Sequence, residues 1–128
     1  MYIEVKEEKI HLTKDDIDDI MVTALEGGIT YWCERAEVPT EEGYLGEYAS
    51  EQIALNGTLK LYAEGEEEPV TLTEERLLHG LCQYILHPHP YDIIYYENGK
   101  AYVDTGCIDA EVADMIIQYA LFDEIVYG

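Results

Sequence analysis

Few side chains in this sequence are grouped in a way that does chemistry. The nearest approach to a metal set is His79-x-x-Cys82 followed by His87-Pro88-His89. His79 and Cys82 fall at i and i+3 on one predicted helix, and two more imidazoles follow its end. Zinc favours nitrogen and sulfur ligands of this kind. Against that, Cys82 falls on the apolar stripe of the helix, and the HPHP segment is an ordinary helix stop. No metal is therefore assigned, and a small His/Cys metal-binding protein stays as an alternative. Three cysteines and four histidines allow a Cys–His nucleophilic pair on paper, but no signature surrounds any of them. GxSxG, GxGxxG, Walker A, HExxH and the DxDxDG calcium loop are all missing. Carboxylates are too numerous for a catalytic pair to be singled out. The expectation is a protein that is not an enzyme and carries no cofactor.

What the sequence has instead is uncompensated charge. Its 128 residues hold 28 Asp and Glu against 7 Lys and Arg, a formal net charge of −21. That excess argues against direct nucleic-acid binding without a metal and against anionic membranes. It favours fast association with a basic protein surface. Solubility alone needs a far smaller net charge. The densest stretch is DDIDDIMVTALEGG, with Asp15, Asp16, Asp18, Asp19 and Glu26. Acids in the first helical turn stabilise the N-terminus, which accounts for two of them. Asp18 and Asp19 lie further in, with Val22 and Thr23 in place of a cation at i+4, and Asp15 faces Asp19 as a like-charge pair. The stretch spans about 18 Å of helix, or about one acid per 3.6 Å, near the ~3.4 Å axial spacing of one DNA strand. Glu64, Glu66, Glu67 and Glu68 form a second cluster, and residues 36–59 and 101–128 contain no base at all.

Tyrosine is the second compositional signal: twelve, against one Phe and one Trp. Phenol rings can pack on one side while the hydroxyl reaches solvent. Tyr62 and Tyr119 are expected in the core. Tyr44, Tyr48, Tyr91, Tyr95 and Tyr96 lie in or near loops and hairpins, where tyrosine beside carboxylates suits a protein interface. Tyr95 and Tyr96 are taken as candidates for partner contact, with simple replacement of phenylalanine in a half-exposed core as the alternative.

The elements that must carry these residues follow from periodicity. Residues 2–12 alternate as a strand or as a hairpin pivoting at Glu7–Glu8. Thr13-x-x-Asp16 reads as a capping box, followed by one apolar helical face of Ile17, Ile20, Met21, Ala24 and Leu25. Gly27–Gly28 should end that helix in the left-handed conformation. ITYWC (29–33) reads as a strand or an irregular helical continuation. Residues 36–57 lack periodicity, with Ser50 a candidate cap for one short turn. TLKLY (58–62) and VTL (70–72) form a hairpin with an acidic tip. Thr73 caps a helix burying Leu77, Leu78, Leu81, Cys82, Ile85 and Leu86, stopped by proline at Pro88. Asn98–Gly99 marks a type I′ hairpin over 92–104. Asp109 caps a helix from about 110 to 122 with Val112, Met115, Ile116, Tyr119 and Ala120 inward, and IVY (125–127) suggests a last short strand. The sum is a single α+β domain, 1–128, with about three helices packed on a small antiparallel sheet. Cys33, Cys82 and Cys107, without CxxC spacing and in apolar stretches, are expected as reduced, buried thiols. The N-terminus MYIEVKEEKI lacks an apolar leader core and no run approaches 18 apolar residues, so a cytoplasmic protein is expected.

The segments DDIDDIMVTALEGGITYWC, YLGEYASEQIALNGTLKLY and DAEVADMIIQYALF resemble a family of small acidic proteins of unassigned activity encoded by Firmicutes phages and integrative mobile elements. The resemblance covers most of the chain and implies a cytosolic product of a mobile element. In size and charge the chain is also similar to phage-encoded anti-CRISPR and anti-restriction proteins, several of which act as DNA mimics. The expected partner is a basic protein that binds nucleic acid, such as a CRISPR effector or a restriction nuclease, met through Asp15, Asp16, Asp18, Asp19, Glu26, Glu64, Glu66, Glu67, Glu68, Tyr95 and Tyr96. The alternative is a structural or accessory element protein whose charge only solvates it.

Overall fold

A computed structural model describes all residues, 1–128. The chain opens with a hairpin of β1 (Tyr2–Val5) and β2 (Glu8–His11). Its turn is Lys6–Glu7, both with positive φ (50° and 67°), one residue earlier than the expected Glu7–Glu8 pivot. That register buries Ile3, Val5 and Ile10 together on one face. The second predicted hairpin is present as β6 (Ile94–Glu97) and β7 (Lys100–Val103), turning at Asn98 (φ 52°) and Gly99 (φ 76°). The two hairpins join through a β2–β7 pairing that is parallel, giving the order β1-β2-β7-β6. A purely antiparallel sheet is thus corrected. The long chain between β2 and β7 permits the crossover that a parallel pair needs.

A second, antiparallel sheet has the order β3-β4-β5, with β3 Cys33–Glu37, β4 Leu59–Ala63 and β5 Val70–Leu72. The strand at ITYWC is displaced: Ile29–Trp32 turn, and β3 starts at Cys33. Its sequence, CERAE, is polar because one face and one edge lie open to solvent.

Helix α1 (Lys14–Thr23) starts at the expected box: Asp16 N–H donates to Thr13 Oγ1, and Thr13 N–H to Asp16 Oδ2. Such a cap contributes about 1 kcal/mol. The helix does not end in a left-handed glycine. It widens into one π turn, Ala24–Gly28. Glycine at 28 serves close approach instead, because a Cβ there would sit 2.8 Å from the Ala110 carbonyl oxygen. Thr73 and Asp109 cap α2 (Glu74–Leu86) and α3 (Ala110–Phe122) as expected. These two helices cross at Gly80, where a Cβ would lie 2.3 Å from Ile116 O. The close crossing rotates α2. Leu77, Leu81 and Tyr84 are buried, Leu78, Cys82 and Ile85 only partly, and Leu86 is exposed. On α3, Val112, Ile116, Tyr119 and Ala120 are inside, whereas Met115 is half-buried.

Three helices and two small, mostly antiparallel sheets thus make a single-domain α+β fold around one continuous apolar core. Several local expectations change. The short turn Ala49–Glu51 is capped by Glu51, whose Oε1 accepts from Glu47 N–H and Tyr48 N–H, and not by Ser50. Tyr62 is half-buried beneath the Arg35 guanidinium, 3.9 Å from its ring centroid. Residues 125–127 form no strand. Cys33 is buried, Cys82 is intermediate, and Cys107 is exposed in the short turn between β7 and α3. No helix is long and apolar enough to cross a membrane.

Candidate functional site

The acids of α1 are held on a capped helix whose opposite face is fixed by Ile17, Ile20, Met21 and Ala24. At 3.6 residues per turn, Asp15 and Asp19 share the outward ridge of α1, Glu26 follows on the wider π turn, and all three are exposed. Asp16 and Asp18 fall on opposite flanks and are half-buried. One acid per 3.6 Å therefore overstates the ridge. Asp15 and Asp19 on it are separated by about 6 Å along the axis.

The two flanks have different surroundings. Asp18 and Glu26 line a cleft of about 620 Å³ that also holds Glu47, Glu51 and the ring of Tyr48. Glu47 and Glu51 come from the loop that had no periodicity, and sequence spacing gave no means of bringing them to α1. Asp18 Oδ1 is shut off from solvent without a hydrogen-bond partner. Burial first, then the carboxylates of Glu51, Asp19 and Asp15, holds the Asp18 pKa above its ordinary value. Asp16, on the other flank, spends one oxygen on the helix cap and lines a hollow of about 450 Å³ with Tyr95 and Tyr102.

That hollow ends an aromatic row. Strand register sets Tyr2, His11, Tyr102 and Tyr95 side by side across all four strands. Successive ring centroids are 6.1, 5.6 and 5.3 Å apart. The adjoining row is charge-balanced, with Glu4 opposite Lys9 and Glu97 opposite Lys100. Tyr96 is on the other face of β6, where its hydroxyl donates to Glu8 Oε1 at 3.0 Å. Tyr95 and Tyr96 are both exposed, on opposite faces of the sheet.

The acidic hairpin is split as well. Glu66, Glu67 and Glu68 project from the β4–β5 tip, while Glu64 lines a hollow with Tyr31, Trp32 and Tyr127. The molecule has three Lys or Arg ion pairs, Lys14–Glu74, Arg35–Glu37 and Lys60–Glu41, and one His79–Asp123 hydrogen-bond contact. None uses an acid of the α1 stretch or of the hairpin tip. Not every acid is idle, however. Glu42 Oε1 accepts from Gln52 Nε2, Thr58 N–H and Thr58 Oγ1, which ties down the loop and lowers its pKa.

The His/Cys group is dispersed. His79 Nε2 meets Asp123 Oδ1 at the end of α3, while His87 and His89 each place Nδ1 against a backbone carbonyl, 2.8 and 2.7 Å away. No group of three or more His, Cys, Asp or Glu is arranged to hold a metal ion.

One polar cluster escaped the sequence reading. Asp114, 8 % exposed on α3, accepts from Tyr31 OH at 2.6 Å, Trp32 Nε1 at 2.7 Å and Gln118 Nε2 at 2.9 Å. Gln118, fully buried, accepts from Val126 N–H and Tyr127 N–H through Oε1, and so fixes the last residues of the chain. Burial, then the bond to Asp114, raises the Tyr31 pKa to about 12. The signal in the sequence was a glutamine inside MIIQYALF, four residues after an aspartate on the same face.

No family model, no curated protein and no solved structure matches the chain.

Proposed function

We propose that this chain is a non-enzymatic docking protein that seats the acidic side of α1 in a basic, nucleic-acid-binding groove of another protein and so keeps DNA or RNA out. The observation that carries the reading is the rigid, base-free acid array. Asp15, Asp18, Asp19 and Glu26 sit on a capped, core-anchored helix, and no Lys or Arg pairs with any of them. Their mutual repulsion opposes folding, and Asp18 is further penalised by a shielded oxygen without a partner. A surface of fixed anionic groups attracts a basic groove at long range and fits it without reordering. Within this reading, a mobile element would use such a protein against a host nuclease, of the CRISPR-effector or restriction type.

The test is capture by the immobilised chain from host lysate over a salt series. Basic nucleic-acid-binding proteins should be retained at low salt, released as salt rises, and displaced by added duplex DNA. Retention of neutral proteins only, or indifference to DNA, contradicts the reading.

A further inference from the structure

Asp114 poses a question of charge. A carboxylate this deeply buried is normally met by a base or a metal. Here its three partners are neutral donors, and it takes part in none of the ion pairs. A carboxylate offers about four acceptor directions, so one remains. Oδ1 already takes two bonds, whereas Oδ2 takes only the Tyr31 hydroxyl.

That free direction belongs to a side chain lining a hollow of about 390 Å³, walled by Tyr31, Tyr127 and Met115, with the Glu111 carboxylate also on it. A second hollow of about 480 Å³ shares Tyr31 and Tyr127 and adds Trp32 and Glu64. Trp32 and Tyr127 are stacked, with centroids 4.9 Å apart and planes within 5°. Every charged side chain on either wall is therefore an acid, and the rest is aromatic, thioether and aliphatic side chains with glycine backbone. Such a lining suits a flat, weakly hydrated organic cation better than a metal ion. Neither hollow shares a residue with the cleft beside α1.

We infer that the paired hollows around Tyr31, Asp114 and Tyr127 form a recognition site for the guanidinium of a peptide-borne arginine. Asp114 Oδ2 and Glu111 take its N–H donors, and the tyrosine rings cover its plane. The inference stands apart from the docking role of α1 and holds or fails without it.

Trp32 is the only tryptophan and bonds to Asp114, so its fluorescence reads the site directly. The purified chain is titrated with Nα-acetyl-arginine amide, Nα-acetyl-citrulline amide, Nα-acetyl-lysine amide and free arginine. A saturable change is expected with the arginine amide. It should be absent with neutral citrulline and weaker with lysine. Free arginine should also bind more weakly, because its α-carboxylate meets Glu111 and Glu64. Asp114→Asn should weaken the arginine amide by about tenfold or more, as loss of a charged hydrogen-bond partner does. Glu111→Gln should weaken it severalfold, while Glu7→Gln, the same charge change in the exposed β1–β2 turn, should leave it unaltered. Should Asp114→Asn not fold, Glu111→Gln against Glu7→Gln decides. A linear, non-saturating response, equal binding of citrulline or lysine, tighter binding of free arginine, or equal effects of the two Glu→Gln changes would overturn the assignment.

Discussion

Two acidic regions of this molecule are built on opposite principles. At Asp114 a single carboxylate is buried and receives three neutral hydrogen bonds, with Gln118 carrying the connection on to the chain end. Along α1 several carboxylates lie at the surface, close together, and Asp16 is engaged by the fold through the Thr13 cap. Asp19 adds one long bond from Thr105 Oγ1 at 3.4 Å. The first region uses a carboxylate to hold distant parts of the chain together; the second carries acids that no cation of the molecule pairs with. The same residue type therefore predicts opposite mutational responses in the two places.

The largest effect is expected at the buried acid. Asp114→Ala leaves the Trp32 donor buried and unpaired and reduces Gln118 Nε2 to its longer bonds to Tyr127 O (3.3 Å) and Tyr31 OH (3.4 Å), a loss of about 3 kcal/mol. Urea unfolding followed by Trp32 fluorescence would measure it, and a loss below about 1 kcal/mol would erase the contrast between the regions.

Tyr31→Phe sharpens the same side. It removes one bond to a charged acceptor from a ring that is half in water, for about 1 kcal/mol. The Tyr31 pKa is raised from 10.0 to about 12, so the folded state holds this proton more tightly than the unfolded chain. The stability contributed is complete below pH 10 and is lost as pH rises towards 12. Phenolate titration at alkaline pH should lose its latest step in Tyr31→Phe, and an unchanged titration would contradict the assignment.

On the other side the sign reverses. Asp18→Asn should stabilise the protein by less than about 1 kcal/mol, since the group is only half-buried and solvent screens its neighbours. The folded-state Asp18 pKa is raised above 3.8, so the native state binds this proton more tightly. Stability from this group is present below pH 3.8 and declines as pH climbs through the raised value. The gain from Asp18→Asn should accordingly be seen at pH 7 and vanish at the acid end; a destabilised variant at pH 7 would place Asp18 among the structural acids.

Which parts were legible from sequence follows the same division between local and distant interactions. Thr13, Thr73 and Asp109 act within one helical turn, and Asn98–Gly99 within one hairpin, so composition and spacing were enough. The hairpin over 58–72 was read correctly for the same reason. Missed features depend on partners far along the chain. The parallel β2–β7 pair, the polar edge strand β3 and the closeness of Glu47 and Glu51 to Asp18 have no local signature. Gly27–Gly28 misled because glycine serves two purposes. A left-handed helix end was expected, and close packing against Ala110 is what Gly28 provides. At the candidate site, the identity of the α1 acids was visible but their azimuth was not, so five acids in sequence became two on a ridge, one on the π turn beyond it and one on each flank.

The central claim is that Asp19 and Glu26, the exposed acids beyond the first turn, are surplus to folding and kept for a partner. The most direct measurement is made on the double variant Asp19→Asn, Glu26→Gln, which leaves the helix-stabilising Asp15 in place. Its urea midpoint is compared with that of the parent chain, and so is its ability to displace duplex DNA from a captured basic partner. The account predicts a midpoint equal to or above the parent's together with loss of displacement. A lower midpoint, or displacement undiminished, would contradict it.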